Sequence, residues 1–148
     1  MKITEITENK KQYSDLLLLA DEQEDMIDRY LDKGRMFVLD DNGVKSECVV
    51  TDEENGILEI KSLATVPEFQ RKGYAKALIE FLVKKYGERY SVLQVGTGDS
   101  PLTVPFYERC GFVRSHTVPN FFTDNYDHPI FECGARLVDM VYLQKKLG

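Results

Sequence analysis

The chain has 148 residues, of which 43% are apolar, 11% aromatic and 30% charged, with 10 Gly and 5 Pro. That balance is too apolar for intrinsic disorder and too charged for a bundle of membrane spans, and the length suits one domain over residues 1–148 with its own core. Nineteen Lys and Arg stand against 25 Asp and Glu, and the net charge of −6 disfavours nucleic acid and anionic membrane surfaces as partners.

No apolar run approaches the roughly 18 residues of a spanning helix, and the N-terminal MKITEITENKKQY lacks a signal-peptide apolar region. The expectation is a cytoplasmic protein. Cys48, Cys110 and Cys133 are odd in number and widely spaced, which fits reduced packing thiols better than a disulfide framework.

In chain order, residues 14–20 (SDLLLLA) predict a short buried helix. Residues 22–33 predict a second one, with Asp21 as its cap, Glu24 in capping-box position, Met26, Ile27, Tyr30 and Leu31 on one face, and Gly34 as its stop. The period then changes. Residues 36–40, an Asp41-Asn42-Gly43 turn and residues 44–51 read as a hairpin, and Asn55-Gly56 turns the chain into a third strand at 57–66. From Tyr74 to Tyr86 a helix buries Ala75, Leu78, Ile79, Leu82, Val83 and Tyr86 along one face and ends at Gly87. Residues 91–95, reached through that helix, predict a strand parallel to 57–66 by a right-handed crossover. A helix from Pro101 to Cys110 follows, then strands at 112–118 and 137–143 separated by an aromatic and polar loop. The order ααβββαβαββ indicates an α/β domain with a mixed central sheet flanked by helices.

The stretch from Leu63 to Ala75 ends a strand, passes through a short loop with Gly73 and starts the long helix. A helix start leaves backbone N–H groups without partners and carries partial positive charge, so a phosphate or pyrophosphate suits it. Between Arg71 and Arg89 six basic residues face only Glu80 and Glu88, a local net of +4 on an acidic chain. The same spacing also describes a plain turn followed by a solvated basic helix face.

Val95-Gly96-Thr97-Gly98-Asp99-Ser100 after a strand has the look of a nucleotide-binding glycine loop, but the third glycine is missing and Gln94 stands where an acid is wanted. Cys110, His116, His128 and Cys133 lack the close pair spacing of structural zinc sites, so no metal is expected.

Gln70-Arg71-Lys72-Gly73-Tyr74-Ala75 matches (Q/R)-x-x-G-x-(G/A), the pyrophosphate loop of the GNAT superfamily of acyl-CoA-dependent N-acetyltransferases, which the chain resembles over residues 36–143. The preceding LATVPEFQ looks like that family's fourth strand and its V-x-P loop, and Phe106 to Phe112 is similar to its later FYxxxGF segment. Where many members carry an Asn near the start of the fourth helix, this chain reads Asp99-Ser100-Pro101.

The resemblance implies a sheet splayed between the fourth and fifth strands, with acetyl-CoA as cosubstrate lying in the gap. Its strand contacts fall on Leu63, Ala64 and Thr65, and its loop contacts on Gln70, Arg71, Lys72, Gly73, Tyr74, Ala75 and Lys76. A close approach of the diphosphate would explain a glycine at position 73. The reaction implied is direct attack of a primary amine on the thioester. Tyr107 aligns with the acid that protonates the leaving thiolate, or is a packed helix tyrosine. Glu59 stands where some members carry a base; a solvent-facing strand residue and a water relay are the alternatives.

A small-molecule or peptide amine is the partner the resemblance implies, and a homodimer is compatible with it. A non-catalytic acyl-CoA-binding or sensor module on the same fold is the other reading. The segment from His116 to Glu132 has aromatics and acids but no Lys or Arg, so Phe122, Asp124, Tyr126 and Asp127 are candidates to bind a cationic acceptor. Its competing description is a helix or hairpin that covers the sheet.

Overall fold

Lys2–Ile6 forms a strand, β1, in the computed structural model, which describes residues 1–148. It pairs antiparallel with β2 (Arg35–Asp40), placing Ile3 opposite Leu39. The strand was not expected from the sequence, because its alternation is broken by polar residues and only pairing half-buries Ile3 and Ile6. Arg35 clamps it through a two-pronged contact with Glu5 at 2.9 and 3.0 Å.

The hairpin of β2 with β3 (Val44–Asp52) and the return strand β4 (Ile57–Thr65) follow the sequence pattern. A register shift between Val49 and Val50 leaves Lys61 as the extra residue of β4. One sheet face carries Phe37, Leu39, Cys48, Val50, Leu58 and Ile60, covered by α3 (Tyr74–Tyr86) and α4 (Val104–Arg109). The opposite face carries Met36, Val38 and Val49 against Leu17 of α1 (Ser14–Ala20) and against Ile27, Tyr30 and Leu31 around α2 (Glu24–Asp28). Leu78, Ile79, Leu82 and Tyr86 of α3 are buried as the helical period requires. Truncating Leu82 to Ala at this site would cost about 2–5 kcal/mol.

β5 (Val92–Gly98) lies parallel to β4, but the pairing lasts only from Ile57↔Val92 to Ile60↔Val95. β5 then continues beside β9 (Met140–Lys146) as far as Gly98↔Met140, with β6 (Val113–Val118) on the outer edge. The strand order is β1-β2-β3-β4-β5-β9-β6, a mixed sheet flanked by helices and splayed between β4 and β5. The fourth strand is therefore the one that the resemblance numbers fourth.

Several local expectations need correction. The helix expected over 22–33 is helical only at Glu24–Asp28, and its cap residue is Gln23 with no side-chain cap bond. Asp21 does not cap it, because its carboxylate accepts the Tyr126 hydroxyl at 2.8 Å instead. The fourth helix starts at Val104 rather than Pro101, after a turn in which the Ser100 hydroxyl accepts the Leu102 N–H at 3.1 Å. The last strand is shifted to Met140–Lys146, since Leu137 donates its N–H to Ile130 outside the sheet. The loop expected after β6 contains α5 (Phe121–Asn125) and a two-residue hairpin of β7 (Phe131–Glu132) with β8 (Ala135–Arg136).

Candidate active site

Beyond Ile60, β4 has no strand partner on the β5 side, so the backbone edge of residues 61–65 faces the gap while Ala64 and Thr65 stay buried. Gly96 and Gly98, which resembled a glycine loop, lie inside β5 and make room for neighbours. A Cβ on Gly96 would meet Met140 Sδ at 2.6 Å, and one on Gly98 would meet Leu137 at 2.6 Å.

At the top of β4 a short 3-10 turn at Pro67–Phe69 leads into the loop, whose residues Arg71 and Gly73 have φ of +65° and +88°. Gly73 meets the left-handed requirement that side chains resist, and a Cβ there would touch nothing of the protein. Position 73 is thus set within the chain by backbone conformation, with the space above it left open. The first bond of α3 runs from Ala77 N–H to Gly73 C=O at 2.9 Å, leaving the N–H groups of Tyr74, Ala75 and Lys76 without backbone acceptors or a side-chain cap. The Tyr74 hydroxyl donates to Asp41 at 2.7 Å and pins the helix start to the β2–β3 turn. Gln70 reaches back from Nε2 to the Thr65 carbonyl at 3.3 Å. Arg71, Lys72 and Lys76 are exposed around this start.

Between α3 and α4 runs a groove of about 300 Å³ whose walls carry Lys76, Lys84, Arg109 and Lys145 against Glu80 alone. Arg109 and Lys145 come to it from different elements, so no sequence pattern announced them. Lys145 Nζ donates to the Cys110 carbonyl at 3.0 Å. The Cys110 thiol lines the groove half-buried, and burial pushes its titration up.

Tyr107 is buried on α4 between the rings of Phe106 and Phe112, at centroid distances of 5.2 and 5.5 Å. Burial first, then the fields of Cys110 and Glu47, push its hydroxyl well above the ordinary phenol range, so it holds its proton at neutral pH.

On the sheet face opposite α3, Glu59 is buried, not solvent-facing. Gln94 Nε2 donates to Oε1 at 2.6 Å, Lys61 Nζ pairs with Oε2 at 2.6 Å, and Gln144 Nε2 donates to Gln94 Oε1 at 2.7 Å. Tyr142, next on this face, is pushed up to about 12 by burial and by Glu59, and His116 stacks on it at 4.6 Å. Glu47 was missed at the sequence level. It is wholly buried on β3, accepts the Ser62 hydroxyl at 2.6 Å and is pushed up to about 8 by loss of water. Its signal was present in the alternation of β3, which puts Glu47 on the same inward face as Val49.

The segment after β6 ties itself to the α1–α2 connection. Besides the Tyr126–Asp21 bond, the Asp127 N–H donates to Gln23 at 3.1 Å and Arg29 donates to Asn125 at 3.1 Å. His128 sits between Asp127 and Glu22, at 2.5 and 3.4 Å. Of the four acceptor candidates, Phe122 is buried and stacks on Tyr126 at 5.7 Å, whereas Asp124 and Asp127 are exposed.

A sequence model described as "Acetyltransferase (GNAT) domain" matches residues 32–114. An uncharacterized N-acetyltransferase of Bacillus subtilis strain 168, YvbK, is 31% identical over 139 residues, 92% of this chain and 90% of that one. A GNAT family acetyltransferase from Elizabethkingia anophelis, solved with acetyl-CoA bound, is 32% identical with a TM-score of 0.92, covering 98% of this chain and 97% of its own. A Bacillus subtilis acetyltransferase solved in complex with CoA is 30% identical with a TM-score of 0.88, again over 98% and 97%. The splayed parallel pair, the loop that opens α3 and these likenesses together place the chain in the GNAT acetyltransferase family.

Proposed function

We propose that the protein transfers an acetyl group from acetyl-CoA to a primary amine by direct attack on the thioester. The observation that carries this reading is the early parting of β4 and β5 beside a helix start whose first three N–H groups are free. The unpaired edge at Leu63, Ala64 and Thr65 suits the amide groups of pantetheine, which would add to it like a strand. The loop from Gln70 through Arg71, Lys72, Gly73, Tyr74 and Ala75 to Lys76 suits the diphosphate, since the free N–H groups and the helix dipole act on the same oxygens. The cationic groove between α3 and α4 continues from Lys76 and suits the phosphorylated ribose. The Elizabethkingia neighbour was solved with acetyl-CoA bound.

Tyr107 would serve the leaving thiolate. A hydroxyl that keeps its proton is a donor throughout the neutral range, and its burial strengthens its hydrogen bond to a developing negative charge. Glu59, the base candidate, has one oxygen on Lys61 and the other on Gln94, so its charge is already paired, and its part is to hold the strands at the gap while a water relay or another carboxylate takes the proton. Asp124 and Asp127 add exposed negative charge beside the Phe122–Tyr126 pair, which favours a cationic acceptor. The experiment is a panel of primary amines (amino acids, polyamines and lysine peptides) incubated with acetyl-CoA and read by free-thiol release. Amine-dependent release is the expected result. Acetyl-CoA binding without release for any amine would favour the non-catalytic module instead.

A further inference from the structure

A neutral amine has to be made before the thioester can be attacked, and the carboxylates near the gap differ in what they can do about it. Both oxygens of Glu59 are engaged, one by an ammonium. Glu47 has no cation. Ser62 donates to its Oε1 at 2.6 Å, and its buried Oε2 has no partner. Glu47 lies opposite Ala64, and Ser62 lies two residues past Ile60, so both border the stretch where β4 has left β5. A second buried and unpartnered atom, the Tyr30 hydroxyl, approaches Ser62 from the turn after α2. Buried polar atoms without partners are costly, and here one is the second oxygen of the carboxylate that Ser62 holds while the other approaches the Ser62 hydroxyl itself.

We infer that Glu47 is a positioning residue for acyl transfer, receiving the proton of the acceptor ammonium through the Ser62 hydroxyl. This rests on the acetyltransferase reading above. Ser62 gives its proton to Glu47 Oε1 as it takes one from the ammonium nitrogen, so Glu47 becomes a neutral acid and the nitrogen regains its lone pair. The nitrogen bonds to the thioester carbonyl carbon, and the C–S bond then breaks. Tyr107 gives its proton to the sulfur and regains one from the nitrogen, leaving amide and thiol, and Glu47 afterwards releases its proton to water. The Tyr30 hydroxyl shares the α2 side of the sheet with Glu47, whereas Tyr107 and Cys48 feel its charge from the opposite face, and none of the three is cationic. From α1, which packs on β4, the apolar Leu17 is buried and Asp15 is exposed. Burial pushes Glu47 up to about 8, which matches its proton affinity to the working range of such a relay.

The test is the pH profile of kcat/KM for the best amine in wild type, E47Q, S62A and E59Q, with acetyl-CoA affinity measured alongside. The wild type is expected to show a rise with a midpoint near 8. E47Q and S62A should each lose about a hundredfold near neutrality and lack that rise, with acetyl-CoA affinity kept. E59Q should lower activity by one factor at every pH. An active wild type whose profile E47Q reproduces overturns this inference alone, and if E47Q fails to fold, S62A with a wild-type profile does the same. A wild type that acetylates no amine overturns it together with the acetyltransferase reading.

Discussion

Gln94 donates from Nε2 to Glu59 Oε1 at 2.6 Å, one residue before the last pair that holds β4 to β5. The amide oxygen at the same time accepts Gln144 Nε2 at 2.7 Å, so both ends of Gln94 are engaged. A polar ladder across three strands thus fixes a carboxylate at the apex of the gap, where the parallel pairing ends and the backbone edge opens.

Tyr107→Phe removes the hydroxyl while keeping the ring that packs on Phe106 and Phe112. The expected outcome is a fall in kcat of roughly 10- to 10⁴-fold with little change in acetyl-CoA affinity. Steady-state kinetics with binding measured separately checks it. Turnover at the wild-type rate would leave Tyr107 as a packing residue.

The parts of the fold legible in the sequence were those set by local periodicity. Helix α3 was read at its true bounds, because four buried residues recur at helical spacing and glycines flank it. What was missed depends on distant partners. Asp21 satisfies every local rule for a helix cap, yet its oxygen goes to a hydroxyl 105 residues away. β1 has too few apolar residues to be seen without β2 beside it. At the site, the loop was legible as a motif, but the occupied state of Glu59 and the orphaned oxygen of Glu47 follow from cross-strand register, which periodicity does not encode.

The acids after β6 are expected to act on the acceptor only. Asp124→Asn and Asp127→Asn should each raise KM for a cationic amine several-fold and leave acetyl-CoA binding alone, since both side chains are exposed. Initial rates against amine concentration check this. Unchanged KM in both variants, or an anionic best acceptor, contradicts it.

Glu47 also makes a prediction about stability. Its carboxyl is raised in the folded protein from about 4.5 to about 8, so the native state holds the proton more tightly than the unfolded chain. The contribution is fully present below about 4.5 and is lost as pH rises through about 8. Glu47→Gln cannot ionise, so its Tm relative to wild type should climb as pH increases across that window. Thermal melts at a series of pH values check it, and a constant Tm difference would show that Glu47 titrates normally.

Calorimetric titration of acetyl-CoA into wild type and Gly73→Val tests whether the gap and the loop opening α3 bind an acyl-CoA. The left-handed φ of +88° at position 73 resists a β-branched side chain, and the space above it is where the diphosphate would lie. Saturable binding at one site is expected in wild type and its loss in Gly73→Val, with circular dichroism unchanged. Equal affinities in the two proteins, or no binding by wild type, would contradict it.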